Sequence, residues 1–176
     1  DICNIVALKN TVMVIWSDQN AEAVYCREHK DGDPIEQWSV VQVIEAGNST
    51  ADDHINAAKS ADGTLWVNTK NEVDSIGLPN LVLRVRKPDG TWRNFPYGML
   101  SKESGPSRPV VITTPYPDVI LSGYTVYDHT HKKRYADRVV FGSIDTSSAD
   151  VMVRQVAVIV PDTSLQVMVN NITGPK

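Results

Sequence analysis

Cysteine, phenylalanine and unbroken apolar runs are all scarce in this chain. Only Cys3 and Cys26 occur in 176 residues, so no disulfide framework holds the fold together. Both sit in strand-like sequence and read as small buried apolar residues, with a single bridge between them as the alternative. No run approaches the roughly 18 apolar residues of a membrane span, and no signal-like segment is present. Positive charge is in deficit too. A net charge of −4 and a pI of about 5.5 argue against nucleic acid as the main partner, because phosphate binding needs a basic face.

Helical periodicity is also missing. No segment holds a 3.6-residue apolar spacing for three turns, and the best candidate, Ile55 to Ser60, stops at Asp62-Gly63. There is no nucleophile elbow, phosphate loop, dinucleotide fingerprint or HExxH motif. Position 1 is Asp rather than Met, which leads to the expectation of a processed chain or a piece of a longer one. Asn48-Ser49-Thr50 and Asn171-Ile172-Thr173 match the glycosylation sequon and matter only in a eukaryotic secreted protein.

What the chain does have is strand-and-turn sequence that repeats. Val, Ile, Thr and Tyr fall in short runs broken by Gly, Pro, Asp and Asn. Four segments overlay as strand, polar turn, strand: Asn4 to Trp16, Ile55 to Asn68, Pro109 to Ser122 and Gln155 to Val169. The residues just before them, Cys3, His54, Arg108 and Arg154, are spaced 51, 54 and 46 apart. A second pattern fills the intervals. Val24 to Lys30 leads through Asp31-Gly32 and Trp38 to Ser39–Ile44, and Leu81 to Lys87 leads through Asp89-Gly90 to a run from Trp92. Asp-Gly between strand runs is a hairpin signal, since both residues tolerate positive φ. In the third unit, Tyr124 to Thr130 and Tyr135 to Ser143 flank the basic turn His131-Lys132-Lys133-Arg134.

Each repeat is then four antiparallel strands, a unit that cannot cover both its faces alone and must stack on neighbours. The expected fold is an all-β, β-propeller-like segment of about three and a half four-stranded blades. They cover about residues 3–50, 51–106 and 107–153, with a partial fourth over 154–176. Propellers usually carry four to eight blades. The expectation is therefore part of a larger ring, or one completed by another chain or another copy.

Asp52-Asp53-His54-Ile55-Asn56, with Trp16-Ser17-Asp18-Gln19 upstream and Arg108-Pro109 downstream, resembles a group of bacterial propeller proteins of uncharacterised role. Their sequences carry similar DDHIN and RP elements. The resemblance spans roughly residues 5 to 125 and implies the fold, not an activity. Ser60-Ala61-Asp62-Gly63-Thr64-Leu65-Trp66 is more distantly similar to the Asp-box turn of sialidase-type propellers, with one residue fewer between Asp and Gly. That turn is structural, and no sialidase chemistry transfers with it.

In a propeller the first strand of each blade lines the axis, and its entry lies at the channel mouth. His54, Arg108 and Arg154 are equivalent entries, so the fold would gather them, with Asp52 and Asp53 on the loop leading in. Arg offers a planar fork for a carboxylate or sulfate. His54 is the candidate proton-transfer group. Asp accepts sugar hydroxyls, or helps hold a Ca²⁺. The bland reading of the same residues is strand-entry loops bonding their own backbone and arginines paired with a neighbouring blade. His129 and His131 share a strand face, a spacing known from Zn²⁺ and Cu²⁺ sites, though a solvated hairpin tip is favoured and no metal site is assigned. Trp16, Trp38, Trp66 and Trp92 sit at repeated positions and read as blade-to-blade packing. Tyr116, Tyr124 and Tyr127 are looser candidates for a ligand platform.

Three readings of function follow. The first is an extracellular or cell-surface module that recognises a glycan. The second is an enzyme acting on acidic polysaccharide, a hydrolase or lyase, with His54 and a Tyr moving protons and Arg108 neutralising a uronate. The third is a structural scaffold. None calls for a cofactor, although Ca²⁺ is compatible with the acidic loop.

Overall fold

A computed structural model describes residues 2–130, 136–148 and 152–159. These residues form twelve strands and no helix. Sheet 1 holds β1 (Cys3–Leu8), β2 (Thr11–Asp18), β3 (Ala23–Lys30) and β4 (Gln42–Ala46). Sheet 2 holds β5 (Ile55–Lys59), β6 (Leu65–Lys70), β7 (Pro79–Arg86) and β8 (Trp92–Met99). Sheet 3 holds β9 (Ser104–Thr113), β10 (Val119–Asp128), β11 (Ala136–Asp145) and β12 (Met152–Ile159). Every pairing is antiparallel between sequence neighbours. The pattern predicts three such units and the first half of a fourth, and the described residues form three up-and-down sheets.

The first strand expected of the fourth half-blade is corrected. The run from Gln155 belongs to β12, which pairs with β11 as the outer strand of sheet 3. The third unit lacks a strand otherwise, and hydrogen bonding to the open edge of β11 satisfies the backbone of both. Residues 160–176 lie outside the described residues. The strand expected at Ser39–Ile44 also moves, to Gln42–Ala46. Pro34 interrupts the segment, and the Ser39 carbonyl accepts the Nε–H of Arg27 at 2.6 Å.

The sheets stack in chain order, β1 beside β5 and β5 beside β9. Asn4 Nδ2 donates to the Ile55 carbonyl at 3.5 Å, and Asn56 Oδ1 accepts from the Val111 amide at 2.8 Å. Alternation along a strand lets sheet 2 serve two cores. Leu65 and Val67 pack with Met13, Ile15 and Cys26 of sheet 1. Trp66, between them, packs with Val111, Ile120 and Ile144 of sheet 3. A buried polar network holds the second seam: Tyr97 OH donates to Asn68 Oδ1 at 2.8 Å, and Asn68 Nδ2 to Ser122 Oγ at 3.0 Å. Sheets 1 and 3 each leave one face open among the described residues. Ile5 is 66% exposed on the first and Ile112 43% on the second.

The turns follow their sequence. Thr64 donates its amide and its hydroxyl to Asp62, both at 2.9 Å, and Gly63 takes φ +90°. Thr91, Asp89 and Gly90 repeat the arrangement before β8. Trp66 Nε1 donates to Ser60 Oγ at 2.6 Å, so this box is structural here as well. The expected packing role holds for Trp66 and for Trp92, which lies against the first core. Trp16 instead stacks on Tyr25 at 5.5 Å, and Trp38 tilts on His29 at 5.1 Å in the β3–β4 loop. Cys26 is buried, and burial, helped by the charge of Glu28, pushes its thiol up to about 11. Cys3 is exposed, and the two are free, so the buried reading fails for Cys3. β2 lies between them and keeps them apart.

Candidate functional site

The entry to β5, the ends of β6 and β8 and the start of β9 all reach one end of the stack. There they enclose a cleft of about 660 Å³ at the seam of sheets 2 and 3. That volume suits a small ligand. Asp52, His54, Lys70, Asn80, Arg108 and Tyr127 are among its lining groups.

Asp52 is buried and forms an ion pair with Lys70. Its carboxylate also accepts the backbone N–H of Asp53. His54 Nδ1 lies 3.4 Å from Asp52 Oδ1 and 2.5 Å from Asp53 Oδ1. Two carboxylates on that nitrogen place the ring proton there and leave Nε2 without a described partner. Burial would push the Asp52 carboxyl up. The hydrogen bonds from His54, Asp53 and Lys70, with the Lys70 charge, outweigh it and hold Asp52 well below the ordinary carboxylate range. Asp53 moves the other way, chiefly through its hydrogen bond to Asp52 and then through burial. One loop thus carries an acid held ionised and a neighbour that keeps its proton longer.

These shifts fix a sign. A lowered folded-state pKa means that Asp52 stabilises the fold above its ordinary value of 3.8. That contribution is lost as pH falls through the folded-state value. Asp52→Asn should therefore cost stability at pH 7, and the gap from wild type should shrink on acidification below about pH 4. Thermal unfolding of both proteins across pH checks this; a gap independent of pH would refute it.

Asp52, Asp53 and His54 could also be read as a metal site, since their ligand atoms lie within 4.8 Å of one another. The fit to Ca²⁺ is poor. Lys70 already places a positive charge on Asp52, and Ca²⁺ takes six to eight oxygen ligands, against two carboxylates and an imidazole here.

Across the cleft, Arg108 sits in a bulge of β9. Register runs from Gly123↔Val110 to Thr125↔Ser107, so an extra residue is accommodated between them. Arg108 adopts φ +50°, uncommon for a residue with a side chain. Bulges re-aim side chains, and this one lays the guanidinium over the Tyr127 ring, 5.4 Å from its centroid. His129 closes the floor against Gly105, where a Cβ would come within 2.8 Å of its Nε2.

The structure brings His54 and Arg108 together with Asp52, and holds Asp53 on the His54 ring. It does not bring Arg154. That residue lies on β12, in register with Ser143 and through it with Leu121 and Ile112. Three strand spacings, roughly 14 Å, separate it from β9. The equivalence failed because β12 completes sheet 3 instead of opening a fourth sheet. Of the tyrosines, Tyr127 lines the cleft. Tyr116 is exposed on the β9–β10 hairpin, and Tyr124 packs edge-on against Tyr97 at 6.1 Å. His129 lines the cleft, while His131 and the basic run 132–134 lie outside the described residues. Lys70 and Asn80 were missed. Lys70 ends β6 and Asn80 is the second residue of β7, and the strand-end rule applied to first strands alone overlooks such positions.

With this geometry in place, comparison with protein-family models gives no match, nor does comparison with curated protein sequences. Among solved structures, an exo-β-1,3-galactanase from Phanerochaete chrysosporium, determined with β-1,3-galactotriose, is similar with a TM-score of 0.52 at 13% identity. The match covers 92% of this chain and 38% of the galactanase. The likeness is one of fold. The described residues are all-β, three four-stranded antiparallel sheets, and similar to part of a β-propeller.

Proposed function

We propose that this chain is a carbohydrate-recognising propeller module and that the cleft between sheets 2 and 3 is its binding site. The observation that carries the reading is the meeting of strand entries from two repeats in one cleft of sugar-sized volume. Asp52 and Asn80 supply polar groups, Arg108 a cation and Tyr127 an aromatic ring. The fold neighbour was solved with a galactan trisaccharide, which agrees with a saccharide ligand. An extracellular or cell-surface setting goes with this reading, since polymeric glycans are met there.

Titration of the protein against a panel of neutral and acidic oligosaccharides tests it. Binding should appear for at least one. Tyr127→Ala should weaken it at least tenfold, about 1.4 kcal/mol, while Tyr116→Ala, on a distant hairpin, leaves it unchanged. Equal effects of the two substitutions, or no binding to any sugar, would remove the cleft from the argument.

A second reading has its own support. Carboxylates on Nδ1 of His54 orient the ring and direct Nε2 to act as a base, the arrangement of a general base with its orienting acid. On an acidic polysaccharide this would make the cleft a hydrolase or lyase site. Its mark is new chain ends released from the polymer by the wild type and not by a folded His54→Ala variant.

A further inference from the structure

Three basic side chains line the cleft, Lys70, Lys102 and Arg108. Lys70 is matched by Asp52. Arg108 forms no ion pair among the described residues, and its Nη1 is buried without a hydrogen-bond partner. Buried donors in native proteins are nearly always satisfied, and leaving one unmade is costly. The acids that share the cleft, Asp52, Glu72 and Asp74, form no ion pair with Arg108, and Asp52 is already engaged by Lys70, the Asp53 amide and His54. The backbone at Arg108 is held at φ +50°, an arrangement that surrounding structure must impose. Tyr127 makes a cation–π contact with the guanidinium, 5.4 Å from the ring centroid, which uses none of its N–H groups.

The geometry points to Arg108 as an anion subsite within the cleft: its guanidinium, without a counter-ion, pairs with the carboxylate or sulfate of an acidic sugar. This rests on the glycan reading and narrows it to acidic saccharides. A guanidinium fork can donate to two oxygens of such a group at once. His129, on the same floor against Gly105, lies beside the bound anion. A neutral sugar could offer a hydroxyl oxygen to the guanidinium but would leave its charge unmatched, so the cleft discriminates by charge as well as by shape.

The test is calorimetric titration of the full chain with four probes: an oligogalacturonate, its methyl ester, a sulfated galactan oligosaccharide and the neutral galactan oligosaccharide. One acidic probe should bind at least tenfold more tightly than the neutral one. Preference for the oligogalacturonate assigns a carboxylate subsite, and preference for the sulfated probe a sulfate subsite. For a carboxylate, methyl esterification should erase the advantage without any change to the protein. Arg108→Gln should remove the advantage of the acidic probe over the neutral one, and Arg108→Lys should restore only part of it. Equal binding of acidic and neutral probes would overturn the anion subsite and leave the glycan reading standing. Failure of all four probes would overturn both. The ester comparison decides a carboxylate subsite, and the sulfated-to-neutral comparison a sulfate subsite, even if the Arg108 variants do not fold.

Discussion

Trp66→Ala should lower the unfolding free energy by about 3–5 kcal/mol, the range for emptying a buried aromatic site. Trp66 is fully buried in the core shared by sheets 2 and 3. Its ring is enclosed by residues of both sheets, so a truncated site cannot collapse without moving one sheet against the other. Two further contacts go with it. Ser60 Oγ loses the indole N–H at 2.6 Å, and the Lys87 ammonium, 5.9 Å from the ring centroid, loses its π face. For a domain stable by about 5–15 kcal/mol the loss is a large share of the whole. Trp66→Phe keeps much of the volume and should cost less than half as much. Urea unfolding of the three proteins provides the comparison. A loss below about 1 kcal/mol for the alanine variant would mean that the two sheets do not depend on this core.

The second large effect concerns a buried cation. Arg84 is fully buried on β7, between sheets 1 and 2, with Nη2 2.6 Å from Glu45 Oε2 and Nη1 on Thr69 Oγ1. Burial pulls the guanidinium down to about 10, against the opposing charge and hydrogen bond of Glu45, so it stays charged at neutral pH. Glu45→Ala leaves that charge in the interior without a counter-ion. Breaking such a pair costs roughly 3–5 kcal/mol. Because the Glu45 side chain is 36% exposed, water will offset part of this, and about 2–3 kcal/mol is expected. Adding Arg84→Met to that variant should recover most of the loss, since removing both charges removes the desolvation problem. If the double variant is no more stable than Glu45→Ala, the cost lies in packing and not in the stranded charge.

His54 and Arg108 are 54 positions apart, yet their approach could be read before any coordinates. They precede equivalent strands of a repeat, and repeats stack alike. Arg154 shows where such reading fails. Its local sequence matches a first strand, but a strand joins whichever edge is open to its backbone, and local sequence does not carry that information. The anion subsite at Arg108 lay further from view. It depends on a bulge, on which ring lies under a guanidinium and on which acids are already taken, all of them results of packing between segments.

Composition and turn chemistry alone therefore determined an all-β chain, its period of about 50 residues, its Asp-Gly hairpins and the entry residues at one end. These follow from short-range rules of alternation, φ tolerance and strand length. The tertiary structure decided which sheet β12 joins, which strand closes the third sheet, and which charges meet. Those are settled by edge pairing and by competition for buried partners, which act between residues far apart in sequence.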